Sequence, residues 1–159
     1  MKLGGTLSAL IACATVPAPS APLALRLRAL DGSTLNLASL RGQVVLLHVM
    51  NTWAEPALIE LPRLRLSHQR HAREGLAIVA VVLDPEPAAA RIFAETFELP
   101  YTVVTPVEAA FASPAGPFGA IRTVPTSLLI DREGRLIARA EGTWDPEILE
   151  AALRRALER

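Results

Sequence analysis

The chain contains the stretch Asn51-Thr52-Trp53-Ala54-Glu55-Pro56-Ala57, which joins two runs of different character. Before it, residues 44–49 (VVLLHV) form a run of β-branched residues and leucine that contains His48 and is typical of a strand buried on both faces. After it, Pro56 can open a helix, because the first helical turn does not need the N–H that proline lacks. The stretch therefore predicts a buried strand that turns directly into a helix.

The helix that follows is expected to pack on a sheet through one apolar stripe. We expect that stripe to consist of Leu58, Leu61, Leu64 and Leu66. An acidic residue, Glu60, lies between these leucines, one helical turn after Ala57.

The rest of the chain alternates between strand-like and helix-like segments. Strands are predicted over residues 76–83, 101–104, 126–130 and 136–140, and helices over residues 86–97 and from Asp145, a capping residue, to the end. Upstream, residues 23–30 and 33–41 flank an Asp31-Gly32 turn and predict a hairpin. This order predicts an α/β fold with a mixed central sheet flanked by helices and an N-terminal β-hairpin extension.

The stretch at residues 51–57 resembles the Trp-Cys-x-Pro-Cys turn of the TlpA/ResA-type thioredoxin-like proteins, including its Glu-Pro pair. Thr123-Val124-Pro125-Thr126, and the Asp131-x-x-Gly134 turn after the next strand, resemble the same family. The resemblance extends over about residues 25–157 and implies a thioredoxin fold. It also implies a cis Val124–Pro125 bond that faces the Trp53 turn.

The same resemblance implies a surface for an extended peptide or protein partner. In the family, the residue before the cis proline presents backbone groups that pair with a bound peptide as an added strand. Carried over to this chain, the peptide-binding residues are Trp53, Pro56, Val124 and Pro125.

Both positions at which the family carries sulfur hold alanine, Ala54 and Ala57. Thiol–disulfide exchange needs one thiolate to attack and a second thiol to resolve the mixed disulfide, and a methyl group can do neither. The chain has one cysteine, Cys13, which lies upstream of the globular part. The sequence thus predicts a protein without thiol redox activity and without a cofactor.

Other residues that could carry chemistry are isolated in the sequence. Glu60 matches an acidic residue that tunes the cysteine pKa values in the resembled family; without thiols, we expect a partly exposed carboxylate on the helix surface. His68 and His71 are three residues apart but have no third ligand, so we expect surface histidines and no metal site. His48 is expected to be a hydrogen-bonded core histidine.

The N-terminal residues resemble a bacterial lipoprotein signal. Lys2 is followed by a short apolar run, and Leu10-Ile11-Ala12-Cys13 matches the lipobox. This predicts a signal peptide at 1–12, lipid on Cys13, a proline-rich tether at 13–22 and a thioredoxin-like domain at 23–159. The expected location is the bacterial cell envelope, on a membrane and facing the periplasm or extracytoplasmic space. The alternative is a disordered apolar N-terminus with an incidental cysteine.

Three functional hypotheses follow from the sequence. The first is a redox-inactive binding module, and the second is a thiol–disulfide oxidoreductase whose cysteines at positions 54 and 57 were substituted by alanine. The third is a different enzyme that uses histidine or glutamate on the same fold. Zero formal net charge and the absence of a basic run argue against a nucleic-acid partner.

Overall fold

A computed structural model describes residues 25–107, 111 and 116–159, so Cys13 and the expected signal and tether segments lie outside the described residues. The strands are β1 (Arg26–Ala29), β2 (Thr34–Asn36), β3 (Val44–Met50), β4 (Leu76–Val82), β5 (Thr102–Pro106), β6 (Thr126–Ile130) and β7 (Leu136–Glu141). The α-helices are α1 (Glu55–His71), α2 (Pro87–Thr96) and α3 (Pro146–Leu157). In this part of the chain no helix is long and apolar enough to cross a membrane.

The strands form one mixed sheet in the order β2-β1-β5-β4-β3-β6-β7. The three strands β3, β4 and β5 are parallel, whereas β1, β6 and β7 each pair antiparallel with their neighbours. The β1–β2 hairpin attaches to β5 at one side of the sheet. This confirms the predicted α/β architecture with an N-terminal hairpin extension.

Every residue of β3, including the polar His48, is buried because both faces of the sheet are covered, as predicted for this run. On one face, Leu46 and Met50 belong to a core that includes apolar residues of all three helices. On the other face, Val45 and Leu47 pack in a second core with residues such as Leu27 and Phe118. The three α-helices therefore contribute to a single face of the sheet.

The expected apolar stripe of α1 is wrong at two positions, Leu58 and Leu66, which are exposed. The buried side of α1 consists of Ala57, Glu60, Leu61, Leu64, Ser67 and His71. Leu66 follows Leu64 by two residues, which is more than half a turn, so the two side chains leave the helix on nearly opposite sides. By contrast, Asp145 caps α3 as expected, accepting hydrogen bonds from the N–H groups of Glu147 and Ile148.

Candidate functional site

The turn between β3 and α1 carries Ala54 and Ala57 and has a regular helix start. The C=O of Asn51 accepts from the N–H of Ala54 at 3.4 Å, and the C=O of Ala54 accepts from the N–H of Ala57 at 3.0 Å. Both alanines are buried, whereas the Trp53 side chain is 73% exposed. The turn therefore presents an indole ring to solvent and two methyl groups to the interior.

This turn is held by Asp84, which no motif in the sequence marks as a functional residue. Its carboxylate accepts from the backbone N–H of Thr52 at 2.8 Å and from the Thr52 hydroxyl at 2.7 Å. Asp84 follows β4, which is parallel to β3, so both residues emerge at the same edge of the sheet. Polar residues that follow neighbouring parallel strands meet at the same edge of the sheet, and this rule could have identified Asp84 from the sequence.

The start of β6 lies at the same edge. Thr126 is opposite Val49 in the register, so Pro125 lies level with the end of β3. The Val124–Pro125 bond is cis, which confirms that part of the prediction. Among the described residues, neither the N–H nor the C=O of Val124 is hydrogen-bonded to another backbone group.

The main correction at the site concerns Glu60, which is not a partly exposed surface carboxylate but is only 3% exposed. Its Oε1 accepts from the backbone N–H of Trp144 at 2.7 Å, and its Oε2 lies 3.6 Å from Nδ1 of His48. His48 Nδ1 is also 3.0 Å from the hydroxyl of Ser127. Glu60 thus belongs to a buried polar cluster beneath the turn, formed by His48, Glu60, Ser127 and the Trp144 backbone.

Burial sets the protonation of this cluster. It lowers the pKa of His48 to about 4, so the imidazole is neutral at neutral pH and the contact with Glu60 is not an ion pair there. Burial also raises the pKa of Glu60, although the Trp144 N–H and the charge of Arg63 act in the opposite direction. His48 is hydrogen-bonded at Nδ1, as expected, but its Nε2 has no partner among the described residues.

The cluster does not have the geometry of a hydrolytic relay. A Ser–His–acid triad uses the two ring nitrogens of histidine separately, one for the nucleophile and one for the acid. Here Ser127 and Glu60 both approach Nδ1 of His48, and all three side chains are buried. The arrangement offers no hydroxyl to a substrate, which weakens the hypothesis of a different enzyme on this fold.

The histidines of α1 are not surface residues, contrary to expectation. His71 is buried and places its two ring nitrogens 2.8 Å from carboxylate oxygens of Glu74 and Glu150. His68 is partly buried and packs edge-on against the ring of Tyr101. Residues 25–107, 111 and 116–159 contain no group of three side chains placed to hold a metal ion.

A pocket of about 350 Å³ opens beside the turn. It is lined by Thr52 and by Ala89, Ile92, Phe93, Thr96 and Phe97 from the α2 side. Two of these, Ile92 and Phe97, are also exposed at the surface. The turn therefore presents the exposed Trp53 ring next to a largely apolar pocket.

Known proteins resemble the chain in sequence. The AhpC/TSA family matches residues 16–139. The thiol-disulfide oxidoreductase ResA of Bacillus thuringiensis subsp. konkukian (strain 97-27) is 26% identical over 126 residues, which cover 79% of this chain and 70% of that protein. The expected resemblance to ResA-type proteins is thus present as a distant similarity.

Solved structures have the same fold. A structure described as the thiol:disulfide interchange protein DsbE of Chlorobium tepidum superposes with a TM-score of 0.70 and 26% identity, covering 83% of this chain and 92% of the other. The exposed lipoprotein thioredoxin Etrx1 of Streptococcus pneumoniae strain TIGR4 gives a TM-score of 0.68 at 20% identity, covering 82% and 97%. The predicted thioredoxin fold is confirmed.

Proposed function

The chain belongs to the AhpC/TSA family, and we propose that it is a redox-inactive, thioredoxin-like module that binds an extended peptide or protein segment. The observation that carries the proposal is the pair Ala54 and Ala57 at the start of α1. These residues occupy the positions of the two sulfurs in the resembled turn, and a methyl group neither attacks nor resolves a disulfide. Because Cys13 is the only cysteine in the chain, no second intramolecular thiol can replace them.

The surface around the turn supports binding. Trp53 supplies a large exposed ring, and aromatic anchors of this kind dominate the energetics of many interfaces. The adjoining pocket has room for an apolar side chain. The Val124 backbone groups, which lack backbone partners in the described part of the chain, can pair with an extended segment as an added strand.

A second candidate is a thiol–disulfide oxidoreductase of the TlpA/ResA type whose cysteines 54 and 57 were substituted by alanine. Two observations favour it: the turn keeps its regular helix start, and the ResA and DsbE relatives are described as thiol–disulfide proteins. The codons at positions 54 and 57 in the genome of the source organism separate the two candidates. Alanine codons support the binding module, and cysteine codons support the substituted oxidoreductase.

Restoring the sulfurs tests whether the site is otherwise competent. The protein as it stands is expected to show no turnover when insulin is the disulfide substrate and the reductant contains no small thiol. The Ala54→Cys/Ala57→Cys variant is expected to be active, because a helix N-terminus lowers the pKa of a thiol placed at position 54. Turnover by the parent chain contradicts the proposal of redox inactivity. A folded but inactive variant indicates instead that this surface is dedicated to binding.

Binding is tested with an unfolded chain whose thiols are blocked, such as reduced and carboxymethylated ribonuclease. The protein is expected to bind this probe without any thiol chemistry, and Trp53→Ala should weaken binding about tenfold or more. The matched control is Ile148→Ala, which removes an exposed apolar side chain on α3, away from the turn. Equal affinities for the parent chain and Trp53→Ala contradict the proposed surface.

We also propose that the protein is an envelope lipoprotein anchored through Cys13, a residue that lies outside the described part of the chain. The support is the lipobox Leu10-Ile11-Ala12-Cys13 after a basic start. Mass spectrometry of the cellular protein should find lipid on Cys13, and Cys13→Ser should release the protein from the membrane fraction or block its processing. An unmodified N-terminus downstream of Cys13, or an uncut Met1, contradicts this assignment.

A further inference from the structure

The solvent-facing side of α1 is apolar between Leu58 and Leu66, whereas Gln69, one turn further on, is polar and exposed. This apolar part lies opposite the side of the helix that is already packed on the core. It consists of Leu58 at 38% exposure, Ile59 at 51%, Leu66 at 44% and the exposed Pro62, which we call the α1 stripe. A surface helix normally carries polar residues on this side. Single exposed apolar residues are ordinary, but four that follow one another along one helix face form a patch that indicates an interface.

The charged neighbours of the stripe do not cover it. Arg63 and Arg65 lie about a quarter turn to either side of the stripe. Their guanidinium groups donate to backbone oxygens of their own chain, Arg63 to Trp144 and Arg65 to Phe97. The stripe therefore stays open between two arginines whose head groups are used within the domain.

The two ends of the stripe carry opposite charges. Glu55 is exposed at the N-terminal end of this face. Arg70 lies at the C-terminal end, with 54% of its side chain exposed, and forms a long ion pair of 3.9 Å with Glu150. The sequence is nearly symmetric about Pro62: Glu55 and Arg70 are seven and eight positions from it, and Ile59 and Leu66 are three and four.

We propose that the α1 stripe packs antiparallel against the same stripe of a second copy of this chain, with the two-fold axis at Pro62. In this register Ile59 of each copy contacts Leu66 of the other, and Glu55 of each copy meets Arg70 of the other, so that one surface serves both sides as an isologous dimer requires. A single helix pair is small compared with a permanent interface. The dimer is therefore in equilibrium with the monomer, and Trp53 is not part of its stripe.

Sedimentation velocity over a wide concentration range tests the dimer, using the full chain with Cys13→Ser so that no disulfide can form. The weight-average mass should rise with concentration from monomer to dimer. Ile59→Asp should raise the dissociation constant about tenfold or more, because it places an unpaired carboxylate at the centre of the contact. The matched control is Ile148→Asp on α3, where the isoleucine is 43% exposed; this variant should dimerise like the parent.

Exchanging the charges of Glu55 and Arg70 tests whether the partner is a second copy of the chain and whether the two helices run antiparallel. Glu55→Arg and Arg70→Glu should each weaken the dimer, because each creates like charges across the two-fold axis. The double variant should restore it, since the charges are again opposite. If Arg70→Glu acts only through its neighbour Glu150, the double variant should not restore the dimer. Failure of the double variant to restore the dimer overturns the proposed register.

Cysteine crosslinking in the same Cys13→Ser background tests the axis. Pro62→Cys should form an intermolecular disulfide, because the two copies of this position meet at the axis. Ile59→Cys alone should not, since its two copies are about 10 Å apart along the helix, beyond the reach of a disulfide. The proposal is wrong if the chain stays monomeric at all concentrations, if Ile148→Asp acts like Ile59→Asp, or if Ile59→Cys crosslinks as readily as Pro62→Cys. The α1 stripe could instead contact a membrane, which is tested by binding to phosphatidylglycerol vesicles. The dimer proposal is wrong if Ile59→Asp weakens this vesicle binding and leaves the dissociation constant of the dimer unchanged.

Discussion

The carboxylate of Glu60 accepts a hydrogen bond from the backbone N–H of Trp144, 84 residues later in the chain. Both residues are buried, so this contact joins the first turns of α1 to the segment that leads into α3 without help from solvent. In a protein without thiols at positions 54 and 57, the buried acid has no cysteine to tune. Its present role is therefore to satisfy a backbone donor inside the core.

Replacing Glu60 separates this hydrogen bond from the charge. Glu60→Leu leaves the buried N–H of Trp144 unpaired and should cost about 1–3 kcal/mol of unfolding free energy. Glu60→Gln keeps an acceptor and should cost less. Urea denaturation near neutral pH measures both values, and equal losses for the two variants contradict the assigned hydrogen bond.

The same variant gives a pH dependence with a defined sign. Burial raises the pKa of Glu60 above its ordinary 4.5, so the folded protein holds the proton more tightly than the unfolded chain. The resulting stabilisation is full below the ordinary value and is lost as the pH rises through the folded pKa. The parent chain should therefore lose stability relative to Glu60→Gln as the pH rises above the ordinary 4.5. A difference that does not change with pH is incompatible with a raised pKa.

His71 should show a dependence at higher pH. Burial alone would lower its pKa, but the hydrogen bonds to Glu74 and Glu150 outweigh this and raise the pKa above the ordinary 6.5. The charged imidazole thus stabilises the fold fully below 6.5, and this stabilisation is lost as the pH rises through the folded pKa. The parent chain should exceed His71→Gln in stability by more at about pH 5.5 than at about pH 9. Arg73→Gln, at an exposed position nearby, serves as the control.

His48 should behave in the opposite way. Burial lowers its pKa to about 4, so the stabilisation from the neutral ring is full above the ordinary 6.5 and is lost as the pH falls toward 4. In NMR titrations its ring proton shift should stay constant from about pH 8 to about pH 5.5. A midpoint for His48 near 6.5 would falsify the assignment of a buried neutral ring.

Asp84 should control the stability of the Trp53 turn. Asp84→Ala removes both acceptors of Thr52, and hydrogen bonds to a charged group contribute about 1.5–3 kcal/mol. Thr52→Val removes only the hydroxyl bond and should cost less, and its effect should vanish in the Asp84→Ala background. Glu86→Ala, an exposed carboxylate in the same loop, is the control, and chemical denaturation of the four variants measures the coupling.

The sequence was sufficient for the features that depend on local patterns. The apolar run of β3, the Asp31-Gly32 hairpin and the Asp145 cap each follow from residues that are close together in the chain, and all three are present. The cis bond before Pro125 was implied by resemblance and is also present.

The features that local patterns could not predict depend on distant partners. Glu60 is buried because Trp144 offers a donor across the fold, and His71 is buried because Glu150 reaches it from α3. The core-facing side of α1 was predicted wrongly because this helix is apolar on two sides. Counting leucines therefore does not show which side faces the core. The Thr52–Asp84 contact required the strand order of the sheet.

The direction of β1 has a practical consequence for handling the protein. Because β1 runs antiparallel to β5, Leu25 lies at the edge of the sheet from which the Trp53 turn projects. The end of α3 lies at the other edge, where the C=O of Leu157 accepts from Arg132 in the turn between β6 and β7. A molecule attached to a sensor chip close to Leu25 therefore has its Trp53 edge on the side of the chip, whereas attachment next to the end of α3 leaves that edge open to the solution.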